Sequence, residues 1–241
     1  MNSHAVTLAV DHVAALSPTV FRVGLKPTRE RVPRYEAGQY LKVVMPDGSL
    51  RPLSIASPPE SDHIELQVQR RSDAMAGRTL VDHLRQSATV DCHMPYGRCR
   101  LPPDQRPVMM IAGGTGIAPM RAMLASSIAR AETRRIELYW GVATPDALFL
   151  DAELRALSSA HPRVHYHPVI EHAPSHWRGA VGFPHALALR EHPCLAGWSI
   201  FCSGSPGMSR AVVAALQAHG VHRDQFFCDW LDILHERNDS S

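Results

Sequence analysis

The chain is poor in cysteine and pairs none of it closely. Cys92, Cys99, Cys194, Cys202 and Cys228 are five scattered thiols, which argues against a disulfide framework and for reduced cysteines in the cytoplasm. A plant-type iron–sulfur cluster requires the run Cys-x4-Cys-x2-Cys and a distant fourth cysteine. No such run occurs, so electrons that pass through this chain are not expected to use such a cluster of its own. Charge of one sign is also missing. Lys and Arg number 25 against 23 Asp and Glu, interspersed to a formal +2, leaving no basic face to attract nucleic acid. Long apolar runs are absent too, since Asp, Arg or His interrupts each one, and membrane insertion is not expected. Met1-Asn2-Ser3-His4 has neither the basic nor the apolar segment of a secretory signal. No internal repeat or low-complexity segment occurs, and only the tail after Leu234 reads as disordered.

What is present fits one large domain or two small ones. The 241 residues are 45% hydrophobic and 20% charged, ordinary for a globular protein. Over the first hundred residues apolar side chains alternate, as in Phe21, Val23 and Leu25 or Ile64, Leu66 and Val68. Pro46-Asp47-Gly48 and Pro58-Pro59-Glu60 punctuate these runs. Short strands at such spacing suggest an antiparallel β-barrel, closed or nearly so, with one helix around Thr79–Leu84. The proline-rich Leu101–Pro107 marks a boundary, giving domains 1–103 and 104–241. Beyond it the rhythm predicts strands at 108–112, 136–141, 164–169, 198–202 and near 225–228. Helices are predicted near 119–131, 150–159, 184–191 and 207–219. Strand–helix alternation implies a parallel, Rossmann-like sheet, with ligands beyond the carboxyl ends of its strands.

Two motifs carry chemistry. Ile111-Ala112-Gly113-Gly114-Thr115-Gly116-Ile117-Ala118-Pro119-Met120 joins a buried strand to a helix through a glycine turn. Such a turn lets backbone N–H groups approach a phosphate at the helix N-terminus; the plainer alternative is an ordinary tight βα turn. Pro119 suits the first helical turn, where its missing N–H is not needed. About 60 residues upstream, Arg51-Pro52-Leu53-Ser54-Ile55-Ala56-Ser57 ends part of the β-rich half. A surface ion pair for Arg51 and a strand-end cap for Ser54 are the plain readings of that segment. Five histidines (His161, His165, His167, His172, His176) crowd together, and His165 and His167 share one face of a strand. No third ligand at motif spacing and no acidic partner is evident, so a His-rich loop region is favoured over a metal site.

Taken in order with Ala37–Leu41, Pro95-Tyr96-Gly97, Leu138-Tyr139-Trp140-Gly141, Trp177–Gly182 and Ser203–Met208, these motifs resemble the ferredoxin–NADP reductase superfamily. The resemblance spans nearly the whole chain. It is strongest to the small bacterial NAD(P)H:flavin reductases, which share a phrase similar to Phe227-Cys228-Asp229-Trp230. It implies a Greek-key β-barrel for the flavin and a Rossmann-like domain for NAD(P)H, a flavin meeting a nicotinamide. The family pattern puts Ser54 at the flavin N5, the backbone of Leu53 and Ile55 along the isoalloxazine edge, and Arg51 at a phosphate or ribityl chain, with Pro52 between. Gly77 and Thr79 partly match a flavin-phosphate segment but sit one residue too close together. Arg70 and Arg71 nearby offer cations, or are merely solvated. For NAD(P)H the resemblance points to Gly113, Gly114, Thr115, Gly116, Ile117, Pro119, Gly141, Ser203, Gly204 and Met208. Ser203 stands where many relatives have cysteine, and strand alternation turns the neighbouring Cys202 into the core.

Relatives often follow Trp-Gly with a further residue and an arginine; here Trp140-Gly141 is followed by Val142-Ala143-Thr144, which leans towards NADH over NADPH. The flavin (FMN, FAD or riboflavin) is either a released substrate or a retained group. Release implies a flavin-dependent acceptor enzyme, retention an electron-acceptor protein such as an oxygenase, ferredoxin or haem protein. A binding module without turnover is a third reading, but it predicts damage to Ser54 or the glycine turn, and neither is damaged.

Overall fold

A computed structural model of the chain describes residues 3–28, 31, 33–70 and 80–229. Alternating apolar residues set the first sheet, built from β1 (His4–Ala15), β2 (Val20–Pro27), β3 (Tyr40–Val44), β4 (Leu50–Ser54), β5 (Ile64–Gln69) and β6 (Thr89–Tyr96). All pairings are antiparallel in the order β4-β3-β6-β1-β2-β5. A bridge between Ile55 and Leu66 joins the two outer strands, with Ala56 N–H donating to Glu65 O at 2.7 Å. The sheet therefore closes on itself, which removes its exposed edges. Leu8, Phe21, Val23, Leu25, Leu41, Val43, Ile64, Leu66 and Val68 fill the interior. Val81 and Leu84 of helix α1 (Leu80–Gln86) join that cluster, and burying each contributes roughly 1.5–3 kcal/mol.

β1 was the least legible strand. Most of its residues are exposed or half-buried and only Leu8 is buried. A bulge between Val10 and His12 breaks its alternation. Gly24 opposite it has no side chain because the His12 ring occupies the space a Cβ would need.

The second sheet has the order β10-β9-β8-β7-β11-β12, parallel throughout. Its strands are β7 (Val108–Gly113), β8 (Ile136–Val142), β9 (Val164–Ile170), β10 (Ala180–Val181), β11 (Ser199–Ser203) and β12 (Phe226–Phe227). Four helices alternate with them: α2 (Ile117–Ala129), α3 (Asp151–Ala160), α4 (Pro184–Glu191) and α5 (Pro206–Ala218). The chain moves outward from β7 through β8 and β9, then returns to lay β11 on the other side of β7. The order thus reverses at β7, the position where open parallel sheets bind ligands. Met109, Ile111, Tyr139, Leu187, Ala188, Cys202, Val212 and Leu216 form the core on one face. Cys202 is buried there, as strand alternation predicts.

Two compact units result, one of residues 1–101 with 121–130, the other of residues 102–120 with 131–241. The expected boundary fell at 103/104 in one cut; the helix after the glycine turn instead counts with the second unit in its first residues and with the barrel thereafter. In the barrel unit, Arg121 donates to Ala56 O (3.1 Å), and Ser126 and Arg130 both donate to Glu60 (3.0 and 2.8 Å). These polar contacts explain why that half of the helix groups with the barrel. Among the described residues no helix is long and apolar enough to cross a membrane. The expected disorder after Leu234 concerns residues outside the described ones.

Candidate functional site

In the barrel unit, β4 pairs Ser54 with Tyr40 and Leu53 with Leu41. Leu53 and Ile55 pack on the barrel core, so strand alternation leaves Pro52 and Ser54 on the outer surface. Arg51, at the open end of the strand, is exposed. Beside Ser54 the outer face carries an aromatic pair, Tyr40 and Tyr96, with ring centroids 5.5 Å apart, and Lys42 Nζ lies 4.1 Å from the Tyr96 centroid. The Ser54 hydroxyl is half-buried and makes no hydrogen bond among the described residues. The strand-end cap is thus not its role.

The backbone that carries Ser54 is firmly held. Ile55 N–H donates to Gln39 O at 3.0 Å, while the Gln39 side chain accepts from Glu36 N–H and donates to Gly97 O. These bonds tie three sequence landmarks into one structure. Gly38 has φ +100°, and a Cβ there would collide with Cys99 O, so only glycine fits. Tyr35 donates its buried hydroxyl towards Ser57 and Pro58 carbonyls at 3.1 and 2.9 Å, and burial pushes its pKa up to about 12. Gly77 and Thr79 lie outside the described residues, as does Arg71. Arg70, expected to offer a cation to a phosphate or to be merely solvated, lies over the Phe21 ring at 4.7 Å and 3.5 Å from Asp82. A cavity of about 730 Å³ opens elsewhere on the barrel, lined by Thr7, Thr28, Arg31, Asp91 and His93 among others, and none of residues 51–55 lines it.

In the second unit the glycine turn sits at the carboxyl end of β7. Gly114–Gly116 form a 3-10 turn that runs directly into α2, so the helix starts earlier than its apolar pattern predicts. Close approach of backbone explains Gly116, and close approach of side chains accompanies the others. A Cβ on Gly116 would strike Ser203 O and lie 2.8 Å from Gly204 N; one on Gly113 would strike Met208 Sδ; one on Gly204 would come within 2.6 Å of that sulfur. Gly141 similarly leaves room for Pro184, whose Cδ would be 2.6 Å from an added Cβ. Gly113, Gly116, Ser203, Gly204 and Met208 therefore form one floor where β7 and β11 end. Gly114 differs: its φ is +53° and nothing lies within 4 Å of a Cβ position. Thr115 and Ser203 are half-buried, and their hydroxyls, like that of Ser54, have no partner among the described residues. Ile117 and Pro119 are buried in the first turn of α2 and serve as its footing.

Two features of this end were not read from sequence. Ser205 caps α5, accepting from Met208 N–H at 3.2 Å, and the Ser-Pro pair at the start of a helix was a legible signal for it. Trp140 Nε1 donates to Gly114 O at 2.9 Å from a fully buried ring.

One of the clustered histidines, His167, does have an acidic partner, contrary to expectation. His167 Nε2 lies 2.7 Å from Glu137 Oε2, and its ring stacks on Tyr139 at 4.3 Å. The carboxylate comes from the neighbouring strand, 30 residues away, where no local spacing signals it. Burial raises the cost of charging Glu137, but the bonds from His167 and Arg135 outweigh it and hold the carboxyl below its usual range. No group of three metal-ligating side chains exists among the described residues.

Comparison with known proteins gives this geometry a context. Residues 110–214 match the family described as Oxidoreductase NAD-binding domain. The NAD(P)H-flavin reductase of Vibrio harveyi is 31% identical over 209 residues, which cover 84% of this chain and 87% of that protein. The chain belongs to the ferredoxin–NADP reductase superfamily. Within that superfamily, terephthalate 1,2-dioxygenase reductase component 2 of Comamonas sp. is 33% identical over 90% of this chain and 65% of its own length. The solved structure of an Amycolatopsis cytochrome P450 reductase superposes with a TM-score of 0.83 at 29% identity, covering 95% of this chain and 70% of that one. The chain spans 59–65% of the length of the first curated relatives it matches. Barrel and Rossmann-like unit are thus the superfamily's two parts.

Proposed function

We propose that this chain reduces a flavin with NADH or NADPH and hands the reduced flavin to a separate acceptor enzyme. The observation that carries the reading is the floor of Gly113, Gly116 and Gly204, where backbone closes position 116 to a Cβ and the Met208 thioether crowds 113 and 204, beneath a Gly114 that faces open space. That combination fits a bound dinucleotide, because backbone N–H groups can approach its pyrophosphate without a side chain intervening. When bound, the nicotinamide supplies a hydride to the flavin N5. The protein's share is binding and orientation. Gly114, Thr115 and Gly116 would receive the coenzyme's phosphates, with the Thr115 and Ser203 hydroxyls available for hydrogen bonds. Ser54 offers a hydroxyl that can donate or accept at the flavin N5, and Arg51 offers a permanent cation for the ribityl or phosphate end.

NADH is the preferred coenzyme on this reading. Glu171 and His172 donate their N–H groups to Val142 and Ala143 carbonyls, so the carboxyl ends of β8 and β9 lie together. Neither segment 141–147 nor 170–176 contains Lys or Arg for a 2′-phosphate, and a carboxylate beside the ribose favours a free diol. The cytoplasm suits the five free cysteines. The oxygenase-reductase relatives favour a second reading, in which the flavin is retained and electrons pass to a protein partner. A visible spectrum of thoroughly desalted protein separates the two. Colourless protein that oxidises NADH only after free flavin is added supports the first; flavin bands near unit stoichiometry support the second. Colourless protein inert with every flavin would exclude both.

A further inference from the structure

We infer that Trp140 is a positioning residue for the coenzyme, acting through the peptide between Gly114 and Thr115. The inference rests on the coenzyme reading above. Trp140 is fully buried, paired in register with Ala112, and held edge-on by Phe149 at 5.1 Å and 83°. From this fixed ring the indole N–H reaches up to Gly114 O, which also accepts from Ile117 N–H. In a trans peptide the C=O and the following N–H point in opposite directions. With the Gly114 oxygen drawn down onto the buried indole, the Thr115 N–H is turned away from the core, towards the side where Gly114 leaves open space.

Such a lock matters because a flip of this peptide turns ψ of Gly114 together with φ of Thr115, and a residue without a Cβ hinders the first of these rotations least. Without the indole the Ile117 N–H alone holds the Gly114 carbonyl, and a flipped Gly114–Thr115 peptide would present that carbonyl where an anion should meet an N–H. A flip in the intact protein would leave the indole N–H buried and unpaired, a costly state. Trp140 thus raises the fraction of the turn that is competent to bind, and affinity falls in proportion when that fraction falls. Neither coenzyme nor flavin need touch the indole for this to hold.

The test uses the full chain with position 140 changed in two ways. Trp140→Phe keeps an aromatic ring and removes the donor. A tryptophan analogue with sulfur in place of the indole N–H, incorporated at position 140 alone, keeps the shape as well and guards against misfolding of the first variant. Binding of ADP-ribose, which carries the pyrophosphate without the nicotinamide, is measured by calorimetry alongside steady-state kinetics. Both changes should weaken ADP-ribose and raise the KM for NADH about tenfold, the scale of one lost hydrogen bond. The flavin KM and the kcat at saturating NADH should stay within about twofold of the parent. ADP-ribose affinity equal to the parent's with the sulfur analogue would overturn the role of Trp140 alone. A parent that binds neither ADP-ribose nor NADH would overturn the coenzyme reading and this inference together.

Discussion

Gly116 and Gly114 are both glycines of one turn, but substitution should damage the protein by different routes. An alanine at 116 places its Cβ against Ser203 O and 2.8 Å from Gly204 N. Both are backbone atoms at the end of β11, where Ser203 pairs with Ala112 of β7. The clash cannot be relieved by rotating a side chain; one strand end must move. Overpacking of this kind costs about 1–3 kcal/mol, against roughly 0.4–1 kcal/mol gained by restricting the unfolded chain. The difference, centred at about 1.3 kcal/mol, corresponds to a fall of about 3–5 °C in Tm for a chain of this size. Gly114→Ala meets open space instead, and its cost comes from the positive φ, roughly 1–2 kcal/mol. Asparagine tolerates that conformation better, so Gly114→Asn should recover part of the loss, whereas Gly116→Asn should be worse than Gly116→Ala. Thermal melting together with NADH titration of the four variants tests this. A Gly116→Ala protein as stable as the parent and unchanged in NADH affinity would refute the argument from close backbone approach.

Two further outcomes are expected. Ser54→Ala should leave Tm unchanged, because no described residue bonds the hydroxyl, yet slow flavin reduction by about 10- to 100-fold through loss of one hydrogen bond worth about 1–3 kcal/mol; unchanged turnover would remove Ser54 from the site. Burial lowers the pKa of His185 and, as its largest cause, that of His192 below 6.5. The unfolded chain then takes up protons first, so stability is full above pH 6.5 and declines as pH falls below it. Glu137, held below 4.5, adds a further loss as pH falls through its folded pKa. Urea midpoints across this range should show both declines, and His192→Gln should flatten the upper one; stability that rises as pH falls below 6.5 would contradict the assignment.

Features written locally in the chain were the legible ones. The helix expected near 184–191 is α4, with the same bounds. The glycine turn at the end of β7 was legible because its residues are contiguous, whereas Arg51–Ile55 stood out only in order with the other landmarks of the resemblance. Contacts between segments were not. Glu137 meets His167 only once β8 and β9 lie side by side, and the Trp140–Gly114 bond needs the same assembly of β7 and β8. β10 has two residues, too few for any periodicity, and exists because β9 offers it a partner. The exposed β1 lacks the clean alternation that marked β2 and β5, so its strand character came from pairing on both sides.

The central claim is that this one chain catalyses electron transfer from a reduced nicotinamide to a flavin. Anaerobic mixing of the desalted protein with NADH and free FMN, FAD or riboflavin, followed by the loss of oxidised flavin absorbance, tests it most directly. Bleaching is expected far above the protein-free rate, saturating in both NADH and flavin and strongly reduced by Ser54→Ala. Bleaching no faster than without protein, for all three flavins and for NADPH as well as NADH, would contradict it.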